Sequence, residues 1–247
     1  MRKRKLLILS GILLLAAMVA GCRQDQRIKS RTLEKTFSET EPFPISVKIS
    51  LDCPSGGASD AALSNMKDLI LTAALGAEYV GMDAETAVNN YITQFVEAAR
   101  KDVPEVPAEE GIGVEEVLTG CFDSSYKDIV TYVVTDYMFE GGAHGMTGIS
   151  ALNFNMKTGE AVSENDLFAP GYPETLSACL TAHLREALGD EDAYAALFVK
   201  DIAPNSNFKV SEDGITYVYN AYEIGPYYLG AIEVTVPWAE LESILKP

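Results

Sequence analysis

The chain has 247 residues, of which 47% are hydrophobic and 22% are charged, so it can bury one large core or two modest ones. This composition excludes a disordered or collagen-like polymer. The formal net charge is −17, and residues 36–247 hold 10 Lys or Arg against 34 Asp or Glu. Because such an acidic body repels phosphate backbones, the sequence argues against nucleic-acid binding.

Residues 1–21 have the pattern of a bacterial signal peptide. Four bases at positions 2–5 precede the apolar stretch Leu6–Ala20, which is shorter than the roughly 20 residues of a membrane-spanning helix. The stretch ends in Val19-Ala20-Gly21-Cys22, which resembles the lipobox of bacterial lipoproteins. That resemblance implies cleavage before Cys22, acylation of its thiol and a membrane-anchored protein outside the cytoplasm. The alternative is an uncleaved anchor with an incidental cysteine.

The residue after Cys22 bears on the destination of the protein. Arg23 is not the Asp-type signal that retains lipoproteins at the inner membrane. We therefore expect a location in the cell envelope, at the outer membrane where one exists.

The elements of the first half follow from apolar periodicity. Residues 22–43 lack it and predict a flexible tether. Alternation over 45–51 predicts a half-buried strand, and residues 60–75 and 83–99 predict two amphipathic helices, the second with Asp83 as its N-cap. We expect these to form a module over 44–102, followed by an acidic junction over 103–120.

The second half is predicted to be a strand-rich module over 121–247. A strand with apolar side chains on both faces covers 126–140 and is expected to be central, and alternation predicts a second strand over 151–156. A helix over 173–188, a hairpin over 208–219 and a last strand over 232–236 follow. The order of elements predicts an α+β fold with a mainly antiparallel sheet and packed helices, divided into two small modules.

Three cysteines remain besides Cys22. Cys179 falls on the apolar face of the predicted helix over 173–188 and is expected to be a buried thiol. Cys53 and Cys121 are candidates for a disulfide in an oxidising compartment, although spacing does not decide whether they pair. With two histidines, no Cys-x-x-Cys and no glycine-rich nucleotide loop, we expect neither a metal nor a cofactor.

The sharpest single candidate for binding is His144, in Glu140-Gly141-Gly142-Ala143-His144-Gly145. Flanking glycines allow a partner to approach the imidazole closely, and Glu140 adds a carboxylate. The alternative is that the glycines serve a tight turn and His144 only ties that turn by a hydrogen bond.

The second candidate is Tyr222-Glu223-Ile224-Gly225-Pro226-Tyr227. Tyr222 and Tyr227, with Glu223 between them, predict a rigid aromatic loop that suits sugar rings or protein contacts. A loop that merely packs on the sheet explains the same residues.

These two segments, the Thr158-Gly159 turn before Asp166-Leu167-Phe168, and the strand Ile232–Pro237 occur in a set order. Together they resemble a bacterial extracytoplasmic domain family of unassigned general function, found in the outer part of a lysozyme-sensing anti-sigma factor and in the non-catalytic region of a peptidoglycan deacetylase. The resemblance implies an α+β fold and binding without catalysis. Only five residues precede the apolar segment, so no cytoplasmic sigma-binding part is expected.

The functional expectation is therefore a lipid-anchored binding protein that is not an enzyme. The resemblance implies a cationic lysozyme-like protein as the partner, since one member of the family binds lysozyme, and the acidic body would attract such a base-rich protein. A cell-wall glycan is the other expected partner, because tyrosines contact sugars. Two alternatives remain open. One is a cell-wall hydrolase that uses a carboxylate with His144, and the other is a structural lipoprotein of envelope assembly.

Overall fold

A computed structural model describes residues 27–41, 43–101 and 113–246. Within these residues eight strands form two sheets, packed with six α-helices. The predicted α+β fold with mainly antiparallel pairing is confirmed. No helix among the described residues is long and apolar enough to cross a bilayer. The predicted signal peptide and Cys22 lie outside the described residues.

The first sheet has five strands that lie side by side in chain order. They are β1 (Lys29–Glu39), β2 (Ile45–Gly56), β3 (Val114–Tyr126), β4 (Ile129–Phe139) and β5 (Met146–Asn155). All neighbours are antiparallel except β2 and β3, which are parallel. A parallel pair needs a crossover connection, and the chain between β2 and β3 contains helices α1 (Asp60–Leu75) and α2 (Ala84–Lys101).

Both helices begin where their capping residues predict. The Ser59 hydroxyl accepts a hydrogen bond from the Ala62 N–H, and the Asp83 carboxylate accepts one from Thr86. Met66 and Ile70 of α1 are buried against the inward face of β2. That face consists of alternate residues, Ile45, Val47, Ile49 and Leu51, all nearly inaccessible to solvent. This first core is the main contact between the sheet and its helices.

The second sheet is a small antiparallel one of β6 (Phe208–Val210), β7 (Gly214–Tyr219) and β8 (Ile232–Pro237). The helices of this half are α3 (Glu164–Leu167), α4 (Tyr172–Leu188), α5 (Glu191–Ala195) and α6 (Trp238–Leu241). Every fourth residue of α4, namely Leu176, Leu180 and Leu184, is fully buried in a second core with the strands.

The prediction of a flexible tether over 22–43 is wrong for its described part. Residues 29–39 form β1, which pairs with β2 along its whole length. The sequence of β1 lacks a clear apolar alternation because β1 is an edge strand. Only Leu33 and Phe37 pack against the core, and its outward face carries charged and hydroxyl side chains.

The predicted junction over 103–120 is also wrong. Residues 114–120 are the first half of β3 and pair with β2, so the two segments assigned to separate modules share one sheet. Two cores do exist, but the chain passes from one to the other after β5. The prediction interpreted the acidic side chains as an exposed junction. In the strand, however, Glu115 points outward while Glu116 is buried in the core.

The candidate disulfide between Cys53 and Cys121 is not formed, since Cys53 carries a free thiol. Strand register explains why. Leu51 lies opposite Gly120, so Cys53 shares a sheet face with Phe122, and Cys121 points to the other face. Cys121 is therefore not bonded to Cys53. Cys179 is a free, half-buried thiol on α4.

Candidate functional site

The glycine-rich loop leaves β4 at one end of the first sheet and returns into β5. Gly141 and Gly142 have φ values of 88° and 100°, in the left-handed region that glycine tolerates best. Gly145 is needed for a different reason, because a Cβ there would lie 2.5 Å from the ring of Tyr137. The loop is therefore shaped by its glycines, and Gly145 sits against the tyrosine that precedes the turn.

His144 and Tyr227 are in direct contact. Their rings stack with centroids 4.0 Å apart and planes inclined by 19°. The Tyr227 hydroxyl donates a hydrogen bond of 2.7 Å to the Gly145 carbonyl, and His144 Nδ1 lies 3.0 Å from the same oxygen. The two loops singled out in the sequence thus meet in the fold, and Tyr227 holds the imidazole in place.

Tyr222 extends this contact into solvent. Its ring lies 5.7 Å from the ring of Tyr227, and 51% of the residue is exposed. Its backbone is left-handed with φ 69°, which is uncommon for a residue with a side chain. We call His144, Tyr222 and Tyr227 the tyrosine site. It presents aromatic faces held by backbone and side-chain contacts rather than a deep cavity.

The two carboxylates predicted for binding have different surroundings. Glu223 holds the turn before Tyr227, because its oxygens accept hydrogen bonds from the Asn205 side chain at 2.6 Å and the Asn220 N–H at 2.8 Å. Glu140 is exposed and makes no hydrogen bond or ion pair with the described residues. Of the two, Glu140 has the free oxygens that a cationic ligand needs.

Two asparagines that the sequence did not single out connect the site to the first sheet. Asn220 donates to and accepts from the backbone of Ile149, and Asn207 pairs with Ile149 and Ala151, all at 2.8–3.0 Å. Their amides bond the edge strand β5 as a further strand would. Asparagine is common in turns, so its residue type carried no signal for this role.

Exposed apolar side chains lie on the segments next to the tyrosine site. Phe198 and Tyr228 are 63% and 71% exposed. The Phe198 N–H donates to the carbonyl of Ile224, inside the loop that carries the two tyrosines. Large apolar side chains exposed together are typical of protein contact surfaces.

Nucleophilic chemistry has little support among the described residues. His144 Nδ1 lies beside the Gly145 carbonyl and its ring stacks on Tyr227, and His183 Nε2 lies 3.0 Å from a Glu240 oxygen. Neither imidazole is hydrogen-bonded to a serine, threonine or cysteine, the arrangement that activates a nucleophile. The described part of the chain also holds no group of three His, Cys, Asp or Glu that could bind a metal.

A buried carboxyl group, Glu116, and a half-buried one, Asp136, lie on the helix-facing side of the first sheet. Glu116 is 1% exposed and accepts a hydrogen bond from the Tyr91 hydroxyl of α2. Burial raises the pKa of Glu116 to about 7, with the Tyr91 bond opposing and Asp136 reinforcing the shift. Burial also raises the pKa of Asp136. One oxygen of each carboxyl has no hydrogen-bond partner.

Comparison with known proteins gives a family match over part of the chain and a shared fold. Residues 165–239 match the family described as protein of unknown function, DUF3298. The chain also resembles the crystal structure of a DUF3298 protein from Bacteroides fragilis, with a TM-score of 0.78, 23% identity, and 88% of this chain and 92% of the other covered. A DUF3298 protein from Pseudomonas aeruginosa PAO1 gives a TM-score of 0.68, 21% identity and coverage of 92% and 97%. At this identity the likeness shows the shared fold.

Two characterised relatives are enzymes by name. Peptidoglycan-N-acetylmuramic acid deacetylase PdaC of Bacillus subtilis is 26% identical over 169 residues, 66% of this chain but only 36% of PdaC. Esterase Rv3036c of Mycobacterium tuberculosis is 25% identical over 160 residues, which are 62% of this chain and 69% of the esterase. The chain therefore matches about a third of the deacetylase and about two thirds of the esterase.

Proposed function

From the match of residues 165–239 to the DUF3298 family and from the geometry of the tyrosine site, we propose that the chain is a lipid-anchored extracytoplasmic protein that binds a cationic protein through that site without transforming it. A cell-wall glycan is the other ligand that tyrosine faces suit. The observation that carries the proposal is the stack of His144 on Tyr227 beside the half-exposed Tyr222.

The chemistry of the tyrosine site fits Arg and Lys side chains. A cation within about 6 Å of a tyrosine ring is attracted by its negative face. Glu140 offers free carboxylate oxygens on the neighbouring loop, and the excess of acids over bases attracts basic partners from a distance. Because long-range attraction is screened by ions, affinity for a basic partner should fall steeply as salt is raised.

The binding test uses lysozyme, a basic protein, immobilised at low ionic strength. The parent is expected to be retained and released by salt, and Tyr222→Ala is expected to weaken binding about ten-fold or more, as for an aromatic anchor of an interface. Val80→Ala is the matched control, because Val80 is equally exposed (52%) but lies beside the helices of the first core. Affinity unchanged by Tyr222→Ala would contradict the site. Retention by peptidoglycan but not by lysozyme would identify the glycan as the ligand.

The anchor is tested separately. Protein recovered from bacterial membranes is expected to carry acyl chains on Cys22, and Cys22→Ser is expected to release the protein from the membrane fraction. Mass spectrometry of the N-terminal peptide is the measurement. Cys22 found in a disulfide, or as a free thiol in membrane-bound protein, would contradict lipidation, because the thiol cannot carry a lipid in those forms.

A hydrolase acting on an acyl bond is the second candidate function, favoured by the names of the deacetylase and esterase relatives. It predicts release of acetate from peptidoglycan or hydrolysis of a chromogenic ester by the purified protein. The activity would be lost in His144→Ala if His144 is the base. Hydrolysis of either substrate by the parent, abolished in His144→Ala, would replace the binding proposal.

A further inference from the structure

The start of the described chain is tied to one end of the first sheet. Arg27 donates hydrogen bonds to the carbonyls of Lys127 and Ile129, at 2.6 and 3.3 Å. Lys127 lies in the turn between β3 and β4 and Ile129 is the first residue of β4, and β1 begins two residues after Arg27. The chain therefore enters the fold at the β3–β4 turn.

The tyrosine site lies at the opposite end of the same sheet. β4 runs from Ile129 to Phe139, and the glycine-rich loop with His144 follows directly. Ten residue steps of antiparallel strand at about 3.4 Å each separate the two ends by ~34 Å. This distance between the two ends follows from the length of β4 alone.

The length of chain between Cys22 and Arg27 limits where a lipid on Cys22 can reach. Five residue steps span at most ~18 Å even when fully extended. The β3–β4 turn is thus within ~18 Å of Cys22, whereas the tyrosine site is beyond its reach, since ~34 Å exceeds ~18 Å.

We infer that the end of the first sheet formed by the β3–β4 turn faces the lipid headgroups of the membrane and that the tyrosine site points away from it, toward partners outside. This inference rests on the lipid anchor of the proposed function. It adds to that function a surface that contacts the membrane and a direction from which the partner arrives.

The charges at the membrane-facing end fit this orientation. In the first sheet, the strand ends and turns there, residues 27–31, 123–129 and 156–160, hold five bases and three acids, with Lys157 paired to Asp128, in a chain of 19 bases and 36 acids. The turn of the second sheet beside Trp238 adds the acids Glu212 and Asp213. All five bases are exposed, namely Arg27, Lys29, Arg31, Lys127 and Lys157. Bases near an anionic membrane surface are attracted to it, whereas the acidic remainder is repelled.

The single tryptophan provides a test, because it lies at the end of the sheet assigned to the membrane. Trp238 stacks on Tyr126, the last residue of β3, with ring centroids 4.4 Å apart. The lipidated protein is reconstituted in vesicles of phosphatidylethanolamine and phosphatidylglycerol that contain a dansyl-labelled lipid. Energy transfer from Trp238 is expected to be several-fold more efficient than transfer from a tryptophan at position 146 (Met146→Trp with Trp238→Phe), next to the glycine-rich loop.

The outcomes separate the inference from the function on which it rests. Equal transfer from both positions, or stronger transfer from position 146, would overturn the orientation while leaving the anchor intact. Absence of lipid on Cys22 would overturn both, and a lysozyme-binding defect would concern the tyrosine site alone. If Trp238→Phe does not fold, hydrogen exchange of the unsubstituted protein, with and without vesicles, replaces the energy-transfer measurement. Addition of vesicles must then slow the exchange of residues 126–129 more than that of residues 140–145.

Discussion

Glu116→Gln is expected to make the protein about 3 kcal/mol more stable than the parent at pH 8, while the two have nearly equal stability near pH 4. Burial raises the pKa of Glu116 from 4.5 to about 7, so the folded protein keeps a proton that the unfolded chain releases. The stabilisation from this carboxyl is complete below pH 4.5 and is lost as the pH rises through 7. A neutral glutamine has no charge to desolvate, and its oxygen can still accept the Tyr91 hydroxyl.

The measurement is the free energy of unfolding in urea between pH 4 and pH 8 for both proteins. Glu115→Gln is the matched control, because Glu115 is the neighbouring carboxylate on the exposed face of β3. Its pH profile should follow the parent. If the difference between Glu116→Gln and the parent does not change with pH, Glu116 does not hold a proton in the folded state. Asp136 leaves a residual dependence of the same sign, since burial raises its pKa too.

Gly159→Ala is expected to destabilise the fold by about 3 kcal/mol or more. Gly159 has φ 71°, and a Cβ there would lie 2.1 Å from the Ala62 carbonyl in α1. The contact is with backbone, which cannot rotate away, so the turn after β5 and α1 must separate. That separation would also break the hydrogen bond from the Asn65 side chain to the Thr158 carbonyl.

Gly171→Ala distinguishes the strain of the left-handed backbone from the steric clash with α1. Gly171 also has a left-handed backbone, with φ 90°, but no atom lies within 4 Å of the position of its Cβ. It should cost only the backbone strain, about 1 kcal/mol. Equal urea midpoints for the two variants would show that the close approach of α1 to the turn contributes nothing.

The candidate site was partly visible in the sequence. Glycines around His144 and tyrosines around Pro226 mark loops of unusual shape, and both loops are where the prediction put them. Their contact was not predictable from periodicity, since His144 follows a strand of the first sheet and Tyr227 lies between two strands of the second. The two segments are held together by the side chains of Asn207 and Asn220, which bond the backbone of β5. Glu223 was predicted to bind a ligand because it lies between tyrosines, but its carboxylate bonds Asn205 and Asn220.

Local patterns determined most of the helices and inner strands, because caps and apolar periodicity are properties of neighbouring residues. α1 begins and ends where the sequence predicts, and β4 is an inner strand flanked by β3 and β5, although the middle strand of the sheet is β3. Only the tertiary structure decided the role of β1, the continuity of one sheet across the predicted junction, and the free thiol of Cys53. Those features depend on which strands become neighbours and in what register, and such pairing is set by long-range contacts that no local pattern records.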